Sequence, residues 1–247
     1  MIAKGVKSIN MKALRFFILA ILALCAPGVA EAQIEQSVNI LVKEFETTKV
    51  FWQQFEIAKQ LVRGGDKSAL PALESWLSKE DRHTRCVAAF VFAGLGDDRG
   101  LEIISAVIKD KSDRPQGQGV PTAPWSIQRQ ITSDRYFAVH VLGELKDKRA
   151  VPILVPLLRD EQINYNVAWA LGEIGDEQAI GPLIEALRDK SSDMRVSAIS
   201  ALEKLGAVAA LPHLYALLND HEKTRTGAQI SVAVAAKAAI AALETKR

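Results

Sequence analysis

From Ala69 onward the apolar residues of this chain fall into short blocks with helical spacing, and the blocks come in pairs. Ala150–Asp160 (AVPILVPLLRD) shares its pattern with Ile180–Asp189 (IGPLIEALRD) and with Ala210–Asp220 (ALPHLYALLND). Pro152, Pro182 and Pro212 therefore stand thirty residues apart each time. Looser copies occur at Ala69–Leu77 and Gly100–Asp110. Second apolar blocks end in a small-residue, Gly and Asp stop, as in Ala93–Asp97 (AGLGD), Leu142–Asp147 (LGELKD) and Leu171–Asp176 (LGEIGD). A fixed period of this length predicts stacked helical hairpins, each made of a helix A and a helix B.

Elementary chemistry explains one unit. Proline in the first helical turn sacrifices no hydrogen bond and presets the backbone for helix A. Asp189 and its equivalents end that helix. Helix B follows and is Ala-rich, with Val196, Ala198, Ile199, Ala201 and Leu202 on its apolar side. Gly143 and Gly172 let neighbouring helices come close, and Gly175 is placed to end helix B in the left-handed conformation. One hairpin cannot bury both apolar faces, so hairpins must share a continuous core. The expected architecture is all-α, a solenoid of about five units over 67–247. A helical cap is expected over 33–66, from two helices near Ile34–Glu46 and Thr48–Arg63 that stop at Gly64-Gly65-Asp66. The last unit is irregular, with His221–Ser231 lengthening its turn before Val232–Leu243.

The stretches PLIEALRD, MRVSAISAL and ALGEIGDEQAI resemble HEAT repeats, in the short form of phycobilisome-lyase-like proteins. The resemblance covers about Ala69–Leu243. It implies a right-handed solenoid whose B helices line a concave face. For function it implies less, because that family spans scaffolds, chaperone-like lyases and a few enzymes.

The first 32 residues read differently. Met11–Arg15 is a short basic start, Phe16–Ala26 (FFILAILALCA) is an apolar run too short to span a bilayer comfortably, and Ala30-Glu31-Ala32 is a small-residue exit. Residues 1–32 are therefore expected to be a signal peptide, cleaved before Gln33, which makes the protein exported and periplasmic or secreted. Removing Lys4, Lys7, Lys12, Arg15 and Glu31 turns a formal net charge of +2 into −1. A near-neutral, mixed surface lacks the footprint of a nucleic-acid binder. Cys86 is the single cysteine beyond that segment, so neither an intramolecular disulfide nor a cysteine zinc site is expected. No later apolar run is long enough to hold the chain in a membrane.

Three features stand out as candidates for function. The first is a column near the start of helix B: Arg85, Arg135, Asn164 and Arg195, with Asp81, Asp134 and Asp193 close before or beside it. Its members either cap helices and tie neighbouring units together or form a basic strip for an acidic ligand. The second is a column further along helix B: Phe90, His140, Trp169 and Ser200. Four different side chains at one repeat position suit either partial burial or a binding surface with His140 and Trp169 as anchors. The third is the stretch Lys111–Ser133, about twenty residues inserted between the two helices of the second unit and rich in Pro and Gly. Insertions of this kind map to one edge of an array, often the binding edge. Either it clamps its own scaffold or it contacts a partner. The candidate binding set is Arg114, Trp125, Arg129, Arg135, Tyr136, His140, Tyr165 and Trp169.

Catalytic patterns are sparse. No nucleophile elbow, phosphate loop or C-x-x-C occurs. HEAT-like di-iron hydroxylases carry repeated His-Glu pairs, whereas here that dipeptide occurs once, as His221-Glu222. No catalytic residue, metal or cofactor is expected. The leading reading is a scaffold for a protein or peptide partner. The alternative is a lyase-like or chaperone-like protein acting on a prosthetic group or a client.

Overall fold

Punctuation in the sequence explains where the helices begin and end. A computed structural model describes residues 27–112, 124–225, 227 and 229–246; within the two helices that begin at Pro27 and Pro124, side chains are described from Gln36 and from Arg129. Two cap helices, α1 (Pro27–Thr47) and α2 (Phe51–Gly64), precede five hairpins. Unit 1 pairs α3 (Ala69–Leu73) with α4 (Arg82–Gly94), and unit 2 pairs α5 (Arg99–Lys109) with α6 (Pro124–Leu145). Unit 3 pairs α7 (Val151–Leu154) with α8 (Asn164–Ile174), and unit 4 pairs α9 (Ile180–Ala186) with α10 (Ser192–Lys204). Unit 5 pairs α11 (Leu211–Tyr215) with α12 (Val232–Glu244). Among the described residues the only extended pairing is an isolated bridge between Lys223 and Ser231. The molecule is an all-α solenoid, as the periodicity requires.

In units 1 and 3 helix A is short because its α-helical turns pass into 3-10 turns, at Glu74–Ser78 and Val155–Arg159. Pro156 sits at the start of that piece and has no N–H to continue the α-helical ladder. Aspartates close the turns on both sides. Asp66, Asp97, Asp147 and Asp176 accept from the backbone N–H two residues on, at 2.8–3.1 Å, where helix B gives way to helix A. Asp110, Asp160, Asp189 and Asp220 do the same at 2.8–3.2 Å where helix A gives way to helix B. Such local bonds favour turns over helix continuation. Gly175 takes the left-handed conformation at the end of α8, φ +76°.

One apolar core runs from Val38 to Leu243 without a break. Successive B helices approach closely at small residues. A Cβ on Gly143 would lie 2.7 Å from the Trp169 ring, and one on Gly172 would lie 2.9 Å from the Ala201 Cα.

Several boundaries differ from the sequence reading. α1 starts at Pro27, inside the segment read as leader, and α2 starts at Phe51. α6 starts at Pro124, so the interruption expected over 111–133 is shorter than it looked. Residues 125–133 contain no Gly or Pro, and Pro124 in the first turn favours helix initiation. The lengthened last turn is present. It folds back through Thr224 N–H to Ile230 O (3.0 Å) and Val232 N–H to Glu222 O (3.0 Å) before α12.

An aromatic cleft between the cap and two B helices

The arginine column resolves into inter-unit ties. Arg135 is 1% exposed; its Nε donates to Ile108 O at 2.6 Å, its Nη1 to Gln162 Oε1 at 3.2 Å and its Nη2 to Asp160 Oδ2 at 2.6 Å. Arg195 repeats the arrangement one rung further on. It donates to Asp189 O (2.7 Å), Asp220 Oδ2 (2.9 Å) and Glu222 Oε2 (2.7 Å). Each guanidinium thus joins the end of its own helix A to the carboxylate ending the next unit's helix A. In unit 1 the tie is made by Arg82, to Asp110 Oδ2 at 2.7 Å, and not by Arg85, which donates to the carbonyls of Lys79 (2.8 Å) and Glu80 (3.3 Å). Arg135 is accordingly removed from the candidate binding set: its donors are spent inside the protein. The aspartates beside the column also divide. Asp81 caps α4 through Thr84 N–H at 2.8 Å. Asp134 and Asp193 lie inside their helices. Asp134, 1% exposed, receives Arg82 Nη1 at 3.3 Å and Gln130 Nε2 at 3.1 Å and lies 3.3 Å from His83 Nδ1. Sharing this carboxylate with Arg82 holds it in the tie.

Aromatic residues gather beside this point. Phe51 and Trp52 open α2, His83 lies in the first turn of α4, and Phe137 and His140 lie on α6. The Phe51 and Phe137 rings meet at 4.5 Å, edge to face, and His83 lies 4.9 Å and 5.1 Å from them. Tilted and edge-on contacts of this kind suit aromatic quadrupoles. With Ser133 and Tyr136 these side chains line a cleft of about 460 Å³. His140 stacks on Trp169 at 4.8 Å and 13°, and Tyr136 stands 6.2 Å from Tyr165. Burial pushes His140 below its ordinary pKa, Lys59 adding to the effect and Glu144 and Glu173 opposing it. The half-buried imidazole is thereby biased towards its neutral, stacking form. Burial and the neighbouring Tyr165 push Tyr136 up, so its phenol keeps its proton. Trp52 is 58% exposed and Tyr136 40%, which is unusual for rings that also touch a core.

Of the candidates read from sequence, Tyr136, His140, Tyr165 and Trp169 come together here. Arg129 is exposed on α6, one turn before Ser133. Trp125 lies on α6 with its side chain outside the described residues, and Arg114 lies outside them altogether. The second column grades from core to surface: Phe90 is buried, His140 and Trp169 are half-buried, and Ser200 is exposed. Phe51, Trp52, His83, Ser133 and Phe137 were missed. The FW pair opening an amphipathic helix was the available signal for two of them.

Among the described residues no group of three or more His, Cys, Asp or Glu side chains is placed to hold a metal. Within the same residues no helix is long and apolar enough to cross a membrane.

The family model for HEAT repeats matches residues 132–180 and 160–233. No curated protein matches the chain. Similar solved structures include a designed armadillo repeat protein in complex with the peptide (KR)4, with 18% identity and a TM-score of 0.46 over 92% of this chain and 98% of that one. Others are the complex of CpcE and CpcF of phycocyanin lyase from Nostoc sp. PCC7120 (16%, TM-score 0.42, 98% of each chain) and human deoxyhypusine hydroxylase in complex with glycerol (18%, TM-score 0.38, 96% of this chain and 92% of that one). The chain is an α-solenoid of helical hairpins, and its residues 132–233 match the model for HEAT repeats.

Proposed function

We propose that this protein is an exported, non-catalytic scaffold that holds a protein or peptide segment against its B helices, with the aromatic cleft as the anchor point. The observation that carries this is Trp52 and Tyr136 standing exposed on a floor of packed rings. Aromatic side chains in a partly desolvated pocket concentrate binding energy. Phe51 and Phe137 pack against Trp52, so little of its rotamer freedom is lost when a partner arrives.

Display selection of random peptides on the purified chain, followed by fluorescence anisotropy, tests it. Selected peptides should bind Trp52→Ala and Tyr136→Ala at least tenfold more weakly, with helicity unchanged. Selection that returns nothing, or peptides indifferent to both variants, refutes the anchor. A chromophore that copurifies in stoichiometric amount would favour the lyase-like alternative. Export is tested separately by mass spectrometry of the chain expressed with its own N-terminus, which should begin at Gln33.

A further inference from the structure

The ladder of guanidinium ties has one vacant rung. Units 1 and 2, 2 and 3, and 4 and 5 are joined by Arg82, Arg135 and Arg195. Between units 3 and 4 the corresponding position is Asn164, whose side chain is too short to cross. At this rung Asp189 stands where Asp110, Asp160 and Asp220 stand elsewhere. Its Oδ1 accepts Ser191 N–H at 2.8 Å, as in the other turns, but among the described residues the carboxylate makes no salt bridge. Asn164 is 5% exposed, and its Oδ1 takes only the N–H of Tyr165, at 2.8 Å. Its other amide end has no hydrogen-bond partner among the described residues, an expensive state for a buried polar group. In place of the missing guanidinium there is a cleft of about 630 Å³, lined by Asn164, Asp189 and Ser191 among others.

We infer that this vacant rung is a binding site for a guanidinium supplied from outside, the side chain of an arginine in the bound partner. The other rungs show what such a group does in this frame: a planar fork reaches a carboxylate and a neighbouring carbonyl together. An ammonium, with one donor centre, spans that pair less well. Two cations of the chain, Lys190 and Arg225, also line the cleft. Lys190 Nζ is held by Glu161 at 2.6 Å, and Arg225 meets the wall through its backbone N–H, to Asp193 Oδ2 at 3.1 Å. Tyr165 lines the cleft and its ring stands 6.2 Å from that of Tyr136, so the rung neighbours the aromatic cleft. This inference rests on the proposed scaffold role for the origin of the arginine, whereas the site itself is independent of it.

The test uses an acetylated, amidated glycine pentapeptide with one central arginine, titrated into the full chain and followed by amide chemical shifts. Saturable shifts confined to the turns around Asn164 and Ser191 are expected, and the same peptide with citrulline should give at least tenfold weaker binding. Asp189→Asn keeps the turn acceptor and should lose the arginine response. Asn164→Arg should fill the rung from within, losing the response while raising the melting temperature. Absent shifts, equal binding of citrulline, or an unaltered response in Asp189→Asn would overturn the inference. So would a response that appears only in Arg225→Gln, because Arg225 would then be the natural occupant. Trp52→Ala should leave this response intact. A peptide selection that fails while the arginine peptide binds would therefore remove the aromatic anchor and leave the rung standing.

Discussion

Replacing Arg135 with alanine probes the ladder most directly. The guanidinium is 1% exposed and donates to one carbonyl, one amide oxygen and one carboxylate. Removing one partner of a buried ion pair costs about 3–5 kcal/mol. Asp160 softens that figure. Its side chain is 17% exposed and lies 3.3 Å from Lys111, so its charge is not stranded. The expected loss is therefore near the lower end, about 3 kcal/mol. Urea unfolding at pH 7 reads it directly. Arg85→Ala is the control, since Arg85 meets only carbonyls of its own unit; it should cost under about 1 kcal/mol. A second signature is pH. Burial alone would raise the Asp160 carboxyl, but Arg135, the Gln162 amide and Lys111 hold it below the usual carboxylate value. Its stabilising contribution is present above the unfolded carboxylate value, near pH 4, and is lost as pH falls through the depressed folded value. The gap between wild type and Arg135→Ala should therefore narrow in acid. A loss below about 1 kcal/mol at pH 7, or a cost for Arg85→Ala that matches Arg135→Ala, would refute the assignment of the rungs.

Three further outcomes can be checked. Gly100→Ala places a Cβ 2.3 Å from both Ala89 O and Ala93 N, backbone atoms of α4 that cannot rotate away, so denaturant melts should show a loss of about 2–3 kcal/mol. The Cys86 thiol is fully buried and burial pushes its pKa up, so iodoacetamide at pH 8 should label the native chain far more slowly than the urea-unfolded chain by mass spectrometry. His140 titrates below its ordinary value because burial disfavours the imidazolium. Its contribution is present above about pH 6.5 and lost as pH falls through the folded value, so His140→Asn should flatten the stability profile below pH 6.5.

The hairpins were legible because their punctuation is local. Proline at the start of helix A, Asp in the turns and Gly at the close approaches each act within a few residues of themselves. The interruption in unit 2 was overdrawn because Pro115, Gly117, Gly119 and Pro121 coloured the reading of the Gly-free stretch that follows Pro124. Arg85 was aligned with Arg195 correctly by position, yet Arg82 makes the tie. Sequence offset does not tell which of two long side chains in one helical turn faces the next unit. The cleft was half legible. Tyr136, His140 and Trp169 lie on repeats that align, so periodicity groups them. Phe51 and Trp52 belong to the cap and reach Phe137, more than eighty positions away, only because α2 and α6 close together beside His83. That contact joins the cap to unit 2 across unit 1, a meeting that no local pattern encodes.

Asn164 has a mechanical consequence as well as a chemical one. Where Arg82, Arg135 and Arg195 act as rivets, each clamping two neighbours, the seam between units 3 and 4 is held, among the described residues, by apolar contact and by the surface pairs Lys190–Glu161 and Lys204–Glu173. Tension along the array should part it there first, into a front block of cap plus three hairpins and a rear block of two. A guest that supplied the absent fastener would make the two halves respond as one beam.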